Sequence, residues 1–535
     1  MTAIMQTLLF MLTVLAAVAV AARRLNVAPS ILLVIAGLAM AFIPGLPRVE
    51  LAPEVVLLVI LPPLIYSAGV AMSWREFRQN LTSISLLAVG CVVFTACAVA
   101  AAAHYLLHFS WPTGFVLGAI VSPPDAVAPL AIARQLGLPR RLMVILEGEG
   151  LANDATALIL YRFAVAAVAT ASFSLPDAAG TFGAIIAGEL VWGIAVGWLS
   201  LHLRRWAHDT RVEITLSLMT PYLAFWVPAH LGGSGVLATV ACGLYVSWNG
   251  PLLISSATRL QGVFFWDLLV YLIEGLVFLL TGLQARTLID NGHAFSIADL
   301  LIATGWAALI VIAARFVWVF PTVYFPRWLA SRLRKRDSSL PWQRPFLVAF
   351  TGIRGVVSLA AALALPYTID NGDPFPHRAL ILFVTFGVII VTLIGQGLML
   401  PSVVRMLGLA RSGSEEHQSE IAAELAARQA ALEEVSKRLE KALADHELPE
   451  EAVKHLRTRN ESREQILPRN LEDGLEQTRQ TASVKRELIA AEREFIFKLL
   501  RDGKITDEAR RRIEYELDLE EASLANRGAD GGGWI

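Results

Sequence analysis

Thirteen apolar stretches, each long enough to cross a lipid bilayer, occupy most of the first 404 residues. They run approximately over 4–22, 29–46, 52–71, 81–104, 112–134, 142–169, 181–203, 212–229, 233–248, 261–284, 299–325, 345–366 and 379–404. A hydrocarbon core about 30 Å thick takes roughly 20 residues of helix to span. Lipid offers no partner for a free backbone amide, so a chain with this pattern folds as a bundle of helices that satisfy their own hydrogen bonds. The expected class is an all-α polytopic membrane protein with about 13 transmembrane helices.

An odd number of crossings puts the two ends on opposite sides, and loop arginines decide which is which. One alternating set of loops holds Arg23, Arg24, Arg75, Arg78, Arg134, Arg140, Arg141, Arg204, Arg205, Arg211, Arg259, Arg327, Arg332, Arg334, Lys335, Arg336, Arg344, Arg405 and Arg411. The other holds Arg48, Arg286 and Arg378. The split of 19 to 3 would not survive an error of one helix in mid-count. The N-terminus is expected outside and the C-terminus in the cytoplasm, with the chain in the plasma or inner membrane. The first apolar run lacks a basic segment before it and a convincing cleavage site, so it reads as a retained helix.

The formal net charge of −1 hides two bodies. Up to Arg411 there are 25 Lys/Arg against 18 Asp/Glu, a net of +7; the remainder has 20 against 28, a net of −8. The expected domains are therefore a transmembrane part over 1–410 and a soluble helical tail over 411–535. In the tail Ala and Leu recur at helical spacing among charges, as in Ile421 to Leu425, and Pro449, Pro468 and Gly503 punctuate it. Gly531 to Ile535 reads as a disordered end. Regulation or subunit pairing is the expected role of the tail. Cys91, Cys97 and Cys242 lie in apolar runs without metal spacing and suggest neither a disulfide framework nor a metal site.

Against this apolar background the segment from Leu146 to Ala155 stands out, because it carries Glu147, Glu149, Asn153 and Asp154 where a helix should cross the membrane. A charge at the bilayer centre costs at least ~3 kcal/mol, so acids there belong to ion pathways more often than to structure. Taking Arg141 as one surface and ~1.5 Å of rise per residue, Glu149 lies about 12 Å deep and Asp154 about 20 Å. Asp125, counted from Pro112 on the other side, also lies roughly 20 Å deep. Both carboxylates then meet near the midplane, where transporters hold their ions.

Asp125 sits among Ser122, Pro123, Pro124 and Pro129, and three prolines in seven residues cannot continue a helix. The twelfth segment has a similar interruption from Thr351 through Gly352, Arg354 and Gly355 to Ser358. Interrupted helices in the two halves of a chain mark a binding site, their free carbonyls and amides supplying partial charges. Arg354 lies about 14 Å from the surface marked by Pro345, close to the depth of Glu149, so these two are expected to pair and join the sixth and twelfth segments. That leaves Asp154 and Asp125 to titrate, with Asn153 as an orienting neutral neighbour.

Burial favours the protonated acid and a bound cation favours the carboxylate, so one site that holds either exchanges them. With asparagine and not a second acid before Asp154, one proton per cation and no net charge movement are expected.

These residues resemble the cation–proton antiporter family, in its sodium/hydrogen exchanger branch, along most of residues 20–410. The resemblance rests on Leu61-Pro-Pro-Leu-Ile-Tyr-Ser-Ala-Gly-Val through Arg75-Glu-Phe-Arg-Gln-Asn80, Pro124-Asp125-Ala-Val-Ala, Glu149-x-x-x-Asn153-Asp154, Ser234-Gly-Val-Leu-Ala, Glu274-Gly-Leu-Val-Phe-Leu-Leu-Thr-Gly-Leu283 and Gly352-x-Arg354-Gly-x-x-Ser358. It implies a homodimer with a dimerisation domain, a six-helix core whose fifth and twelfth helices cross unwound, and an elevator-like movement of that core. It also implies Asp154 as the cation-binding carboxylate with Asn153 and Asp125 beside it, and Glu149 with Arg354 as a stabilising ion pair. Arg315 matches an arginine of the family's eleventh helix, and Ser358 belongs to its twelfth-helix motif. Two departures remove hydroxyl ligands: the family usually has Thr-Asp-Pro where this chain has Pro124-Asp125-Ala126, and Ser where it has Gly150. Ser122 is a candidate replacement, and sodium against potassium stays open.

Glu147 remains open between a core neighbour, an acid on the access route and an alternative partner for Arg354. Glu189, Asp267 and Glu274 read as facing helix interfaces or ends, with Arg162 a partner for one of them. Histidines 104, 108, 202, 208 and 230 fall at helix ends. The Leu231 to Gly235 run reads as helix packing, since no strand or lysine makes it a nucleotide loop. The function expected is exchange of Na+ (or K+) for H+, with no enzyme activity, no cofactor and no nucleic-acid partner. The alternative is a membrane receptor or scaffold that keeps the fold and signals through its tail.

Overall fold

The computed structural model describes the chain except residues 1, 26, 44–50, 171–173, 292–295, 335–340, 370–371, 446–449, 452, 456, 459–470, 503, 505–506 and 529–535. Pro449, Pro468, Gly503, Arg48, Lys335, Arg336 and the end from Gly531 to Ile535 lie outside the described residues. Among those described there is helix and no strand, with one isolated bridge between Thr368 and Pro374.

The chain divides into two compact units, Met1–Ser412 and Gly413–Ile535. In the first, the helices are α1 Thr2–Leu25, α2 Pro29–Ala41, α3 Val55–Ala71, α4 Trp74–Leu107, α5 Trp111–Val121, α6 Val127–Gln135, α7 Arg140–Thr170 and α8 Leu175–Ala207. There follow α9 Thr210–His230, α10 Val236–Leu253, α11 Ser256–Asn291, α12 Ile297–Arg334, α13 Gln343–Phe350, α14 Val356–Leu363 and α15 Arg378–Leu407. Among the described residues, eight helices are long and apolar enough to cross a membrane by length and composition. α1, α4, α7, α8, α10, α11, α12 and α15 contain those spans. α5 with α6, and α13 with α14, are two broken rods, while α2, α3 and α9 are shorter or less apolar.

Helix ends follow local chemistry. Ser73, Ser110 and Asp209 cap α4, α5 and α9 by accepting backbone N–H bonds. α4 and α8 end on His108 and His208 with φ of 55° and 50°. Such left-handed caps close the last turn.

Packing sorts the helices into two bundles. α8, α9, α10 and α3 pack together, and α2 lies along α11 with α1 beside them. The second bundle holds α4, α5, α7, α12 and α15 around the broken rods. Small residues permit the closest approaches. At Gly282 of α11 a Cβ would run into the Val34 carbonyl and the Leu38 amide of α2, so only glycine lets these two backbones touch.

The loop from Leu231 to Gly235 does more than pack helices. Glu189 of α8 is buried and takes hydrogen bonds from the amides of Ser234 (2.5 Å), Gly235 (2.9 Å) and Leu237 (3.0 Å) and from the Ser234 hydroxyl (3.0 Å). It is an internal anion seated on the positive end of α10. Arg162 of α7 lies within electrostatic reach of it.

In the second unit α16 Leu409–Asp445, which begins in the first, is followed by α17 Leu471–Arg501 and α18 Asp507–Gly528. α17 and α18 pair through Ile489, Ile513 and Leu517, and Arg493 bridges Asp518 (2.5 Å) and Glu521 (2.7 Å).

The α2–α11 contact gives the first prediction. Gly282→Ala should destabilise the membrane unit by about 1–3 kcal/mol, because even a methyl meets fixed backbone. Gly188→Ala, on α8 with nothing within 4 Å, should not. Thermal denaturation in detergent compares the two, and equal melting temperatures would contradict the packing argument.

Candidate functional site

Pro123 and Pro124 end α5 at Val121, the chain stays non-helical over 122–126, and Pro129 is accommodated in the first turn of α6. Across from it, residues 351–355 separate α13 from α14. The two breaks touch: the Asp125 amide donates to the Ile353 carbonyl at 2.6 Å. Gly355 is required at the contact, since a Cβ there would overlap the Asp125 carboxylate.

α7 runs past this crossing. Asn153, fully buried, donates from Nδ2 to the Pro124 carbonyl at 2.5 Å, which fastens α7 to the break. Its Oδ1 is buried without a hydrogen-bond partner among the described residues. Asp154, next in line, is half-buried and within electrostatic reach of Asp125. Its carboxylate receives no hydrogen bond among the described residues. Asp125 is also half-buried, and one of its oxygens accepts from the Val127 amide at 3.0 Å. The crossing thus gathers two acids and a spare amide oxygen, a set of hard oxygen donors.

The expected pairing of Glu149 with Arg354 is not what the structure holds. Glu149 meets Arg315 of α12 in a two-pronged ion pair, with Arg315 Nη2 at 2.7 Å from Oε2 and Nη1 on Oε1; both side chains are buried. Arg315 Nε donates to the Val348 carbonyl at 3.0 Å, at the end of α13. Arg354 is neutralised differently: Nε donates to the Val121 carbonyl (3.0 Å), Nη2 to Ser122 (3.3 Å) and Nη1 to Gly352. Depth along the helices put Arg354 level with Glu149. The direction each side chain takes around its helix, and the carbonyls freed by the breaks, decide the partner. The negative end of α5 serves Arg354 as a counter-charge.

Glu147 pairs with Arg134 of α6 at 2.9 Å, which removes it as a partner for Arg354. Ser122 is buried with its hydroxyl turned back onto the Ala119 carbonyl at 3.2 Å, and Ser358 is buried in the first turn of α14. One residue that sequence reasoning passed over, and one that it read differently, also belong here. Thr392 lies in a widened π-helical turn of α15 over Val391–Gln396, and its hydroxyl accepts the Arg354 amide at 3.0 Å. Such turns often mark functional positions, but no sequence pattern announces them. Glu274 of α11, read as an interface residue, is half-buried within electrostatic reach of Asp125 and Arg134. Its place in a motif shared with the family was the available signal. No group of three or more His, Cys, Asp or Glu is placed to hold a metal among the described residues.

Comparison with known proteins gives the same picture. Residues 10–406 match the family model described as the transmembrane sodium/hydrogen exchanger. An uncharacterized Na(+)/H(+) exchanger of Mycobacterium tuberculosis is 34% identical over 518 residues, covering 94% of this chain and 93% of the relative. The sodium, potassium, lithium and rubidium/H(+) antiporter of Bacillus pumilus is 32% identical over 68% of this chain and 56% of its own length. In three dimensions the sodium proton antiporter MjNhaP1 of Methanocaldococcus jannaschii matches 76% of this chain and 99% of its own, at a TM-score of 0.60 and 18% identity. With its crossed breaks and their half-buried acids already in place, the chain belongs to the transmembrane sodium/hydrogen exchanger family.

Proposed function

We propose that the protein exchanges a monovalent cation, Na+ first and K+ second, for a proton, with Asp154 as the group both ions share. The observation that carries this reading is the half-buried Asp154 carboxylate, free of hydrogen bonds among the described residues and within electrostatic reach of Asp125, next in the chain to Asn153 with its unpartnered oxygen. A carboxylate with no fixed counter-charge in a low-dielectric site holds a proton or a cation, and each excludes the other. Asp125 and Asn153 Oδ1 complete the cation's oxygen shell. One acid exchanging one proton makes the cycle electroneutral at 1:1. The names of the relatives support Na+, and the Bacillus pumilus protein's name keeps K+ in view.

Thirteen crossings with the arginine-rich loops in the cytoplasm place the C-terminal unit inside the cell as a regulatory appendage. The bundle of α4, α5, α7, α12 and α15 moves against the other as a body to give alternating access, and two copies pair through the static bundle. Glu149 with Arg315 keeps α7 and α12 together within the moving part, and Arg354 holds the breaks.

Proteoliposomes carrying a proton gradient test this directly. Adding Na+ or K+ should collapse the gradient with wild-type protein and leave it standing with Asp154→Asn, while the melting temperature stays close to wild type. An imposed membrane potential should not change the rate; acceleration by potential would rule out 1:1 exchange. Silence of the wild type towards Na+, K+ and Li+ would overturn the antiporter reading in favour of a receptor or scaffold.

The ion pair behaves oppositely. Glu149→Gln leaves Arg315 buried and uncompensated and should cost about 3–5 kcal/mol of stability. Glu149→Gln combined with Arg315→Gln should recover part of that loss. A double-mutant cycle on melting in detergent measures the coupling, and simple additivity would show that the pair does not act as one.

A further inference from the structure

One stretch of the family motifs, Arg75 to Asn80, takes no part in the ion site. It forms the first turns of α4, and its two faces are put to different uses. Glu76 accepts from Arg140 of α7 at 2.7 and 3.1 Å, and Asn80 accepts from Arg141 at 3.2 Å, so this face binds α4 to α7. Arg75, Arg78 and Gln79 face the other way. Together with Trp74 and Trp248 of α10 they line an open cleft of about 410 Å³. Among the described residues neither Arg75 nor Arg78 makes an ion pair or hydrogen bond, and both are exposed.

The cleft lies across the seam between the two bundles, because α4 belongs to one and α10 to the other. Next to Trp248 in the chain, the Ser247 hydroxyl of α10 donates to the Met72 carbonyl at 2.8 Å, which ties α10 to the residues just before α4. Arg75 and Arg78 belong to the set of loops that holds most of the arginines, and they sit in the first turns of an apolar helix that is long enough to cross a membrane. Tryptophans favour the ends of such helices, with their rings among the headgroups. Trp74 stacks on Phe77 and Trp248 stands 59% exposed, so the walls are apolar while the two guanidinium groups offer forked donors. Paired arginines of this kind select phosphate oxygens.

We propose that this cleft binds the phosphate-bearing headgroup of an anionic phospholipid from the arginine-rich side of the membrane, with its glycerol and upper acyl chains against Trp74 and Trp248. A free phosphate ester shares the headgroup's chemistry, but gains nothing from aromatic walls at the lipid boundary. A lipid seated here bridges the two bundles and adds to the resistance against their relative movement.

Binding can be read without any transport assay, by native mass spectrometry of delipidated protein in detergent. Wild-type protein incubated with phosphatidylglycerol should retain it in preference to phosphatidylcholine. Arg75→Gln with Arg78→Gln should lower that retention about tenfold or more, the scale of losing charge-assisted bonds to a phosphate. Trp248→Ala should lower it with both arginines intact, and Arg75→Lys with Arg78→Lys should keep part of it. Arg23→Gln with Arg24→Gln, on the same face but outside the cleft, should change nothing. Equal retention by wild type and the Arg75/Arg78 double variant overturns the site. Displacement of the lipid by soluble glycerol 3-phosphate, which then stays bound itself, overturns the lipid and assigns the cleft to a free phosphate ester.

Discussion

Inside hydrocarbon every unpaired peptide group costs several kcal/mol, and this chain leaves the helix for five residues at 122–126 and again at 351–355. The breaks survive because they serve one another. The Asp125 amide finds the Ile353 carbonyl, and the carbonyls of Val121, Ser122 and Gly352 converge on one guanidinium, that of Arg354. Arginine suits this task since its five donors fan out in a plane and its charge persists when buried. Remove that exchange of bonds and neither interruption is tolerable at such depth. Everything else at the crossing, including where Asp125 and Asn153 point, follows from it.

The sequence displayed the breaks openly, through Pro123, Pro124 and Pro129 on one side and Gly352 and Gly355 on the other. It also displayed the acids, because charge inside an apolar run has no bland explanation. What it withheld was the angle around each helix axis. A rise of ~1.5 Å per residue gives depth and nothing more, and depth alone paired Glu149 with Arg354. Packing turns Glu149 towards α12, where Arg315 waits, and turns Arg354 towards α5. Thr392 was hidden for another reason: a π-helical turn depends on tertiary fit and leaves no trace in composition. Glu189 was discounted because a carboxylate can borrow amides from a distant loop, and no local pattern tells where those amides will be.

The acids of the membrane unit can be sorted by what neutralises them. Glu149 has Arg315, Glu147 has Arg134, and Glu189 has the amides at the start of α10. Asp125 has a single amide from its own turn. Asp154 has none among the described residues. A charge that protein dipoles already compensate gains little from a cation, whereas an uncompensated one must take up an ion or a proton. Glu213, at the start of α9, and Glu274 of α11 also lack an ion pair among the described residues, so compensation narrows the choice and the crossed breaks then distinguish Asp154. The broken rods ensure that the acid nearest to it is only partly satisfied as well.

The two departures from the family's usual motifs are not independent. Gly150 and Ala126 face each other, and a side chain at Gly150 would drive its Cβ into that of Ala126. The serine usual at the first position therefore does not fit here without a shift of the break that carries Asp125. Losing a hydroxyl at 150 lets α7 settle against residue 126, and the bond from Asn153 to the Pro124 carbonyl is made across that same contact. The proposed ligand shell is poorer by a hydroxyl, while the break that carries Asp125 lies closer to α7. In the exchange proposed above, a shell with fewer fixed oxygens discriminates cations mainly by how far the Asp125 break can give, which ties the proposed selectivity to the Gly150–Ala126 contact as well as to the ligands.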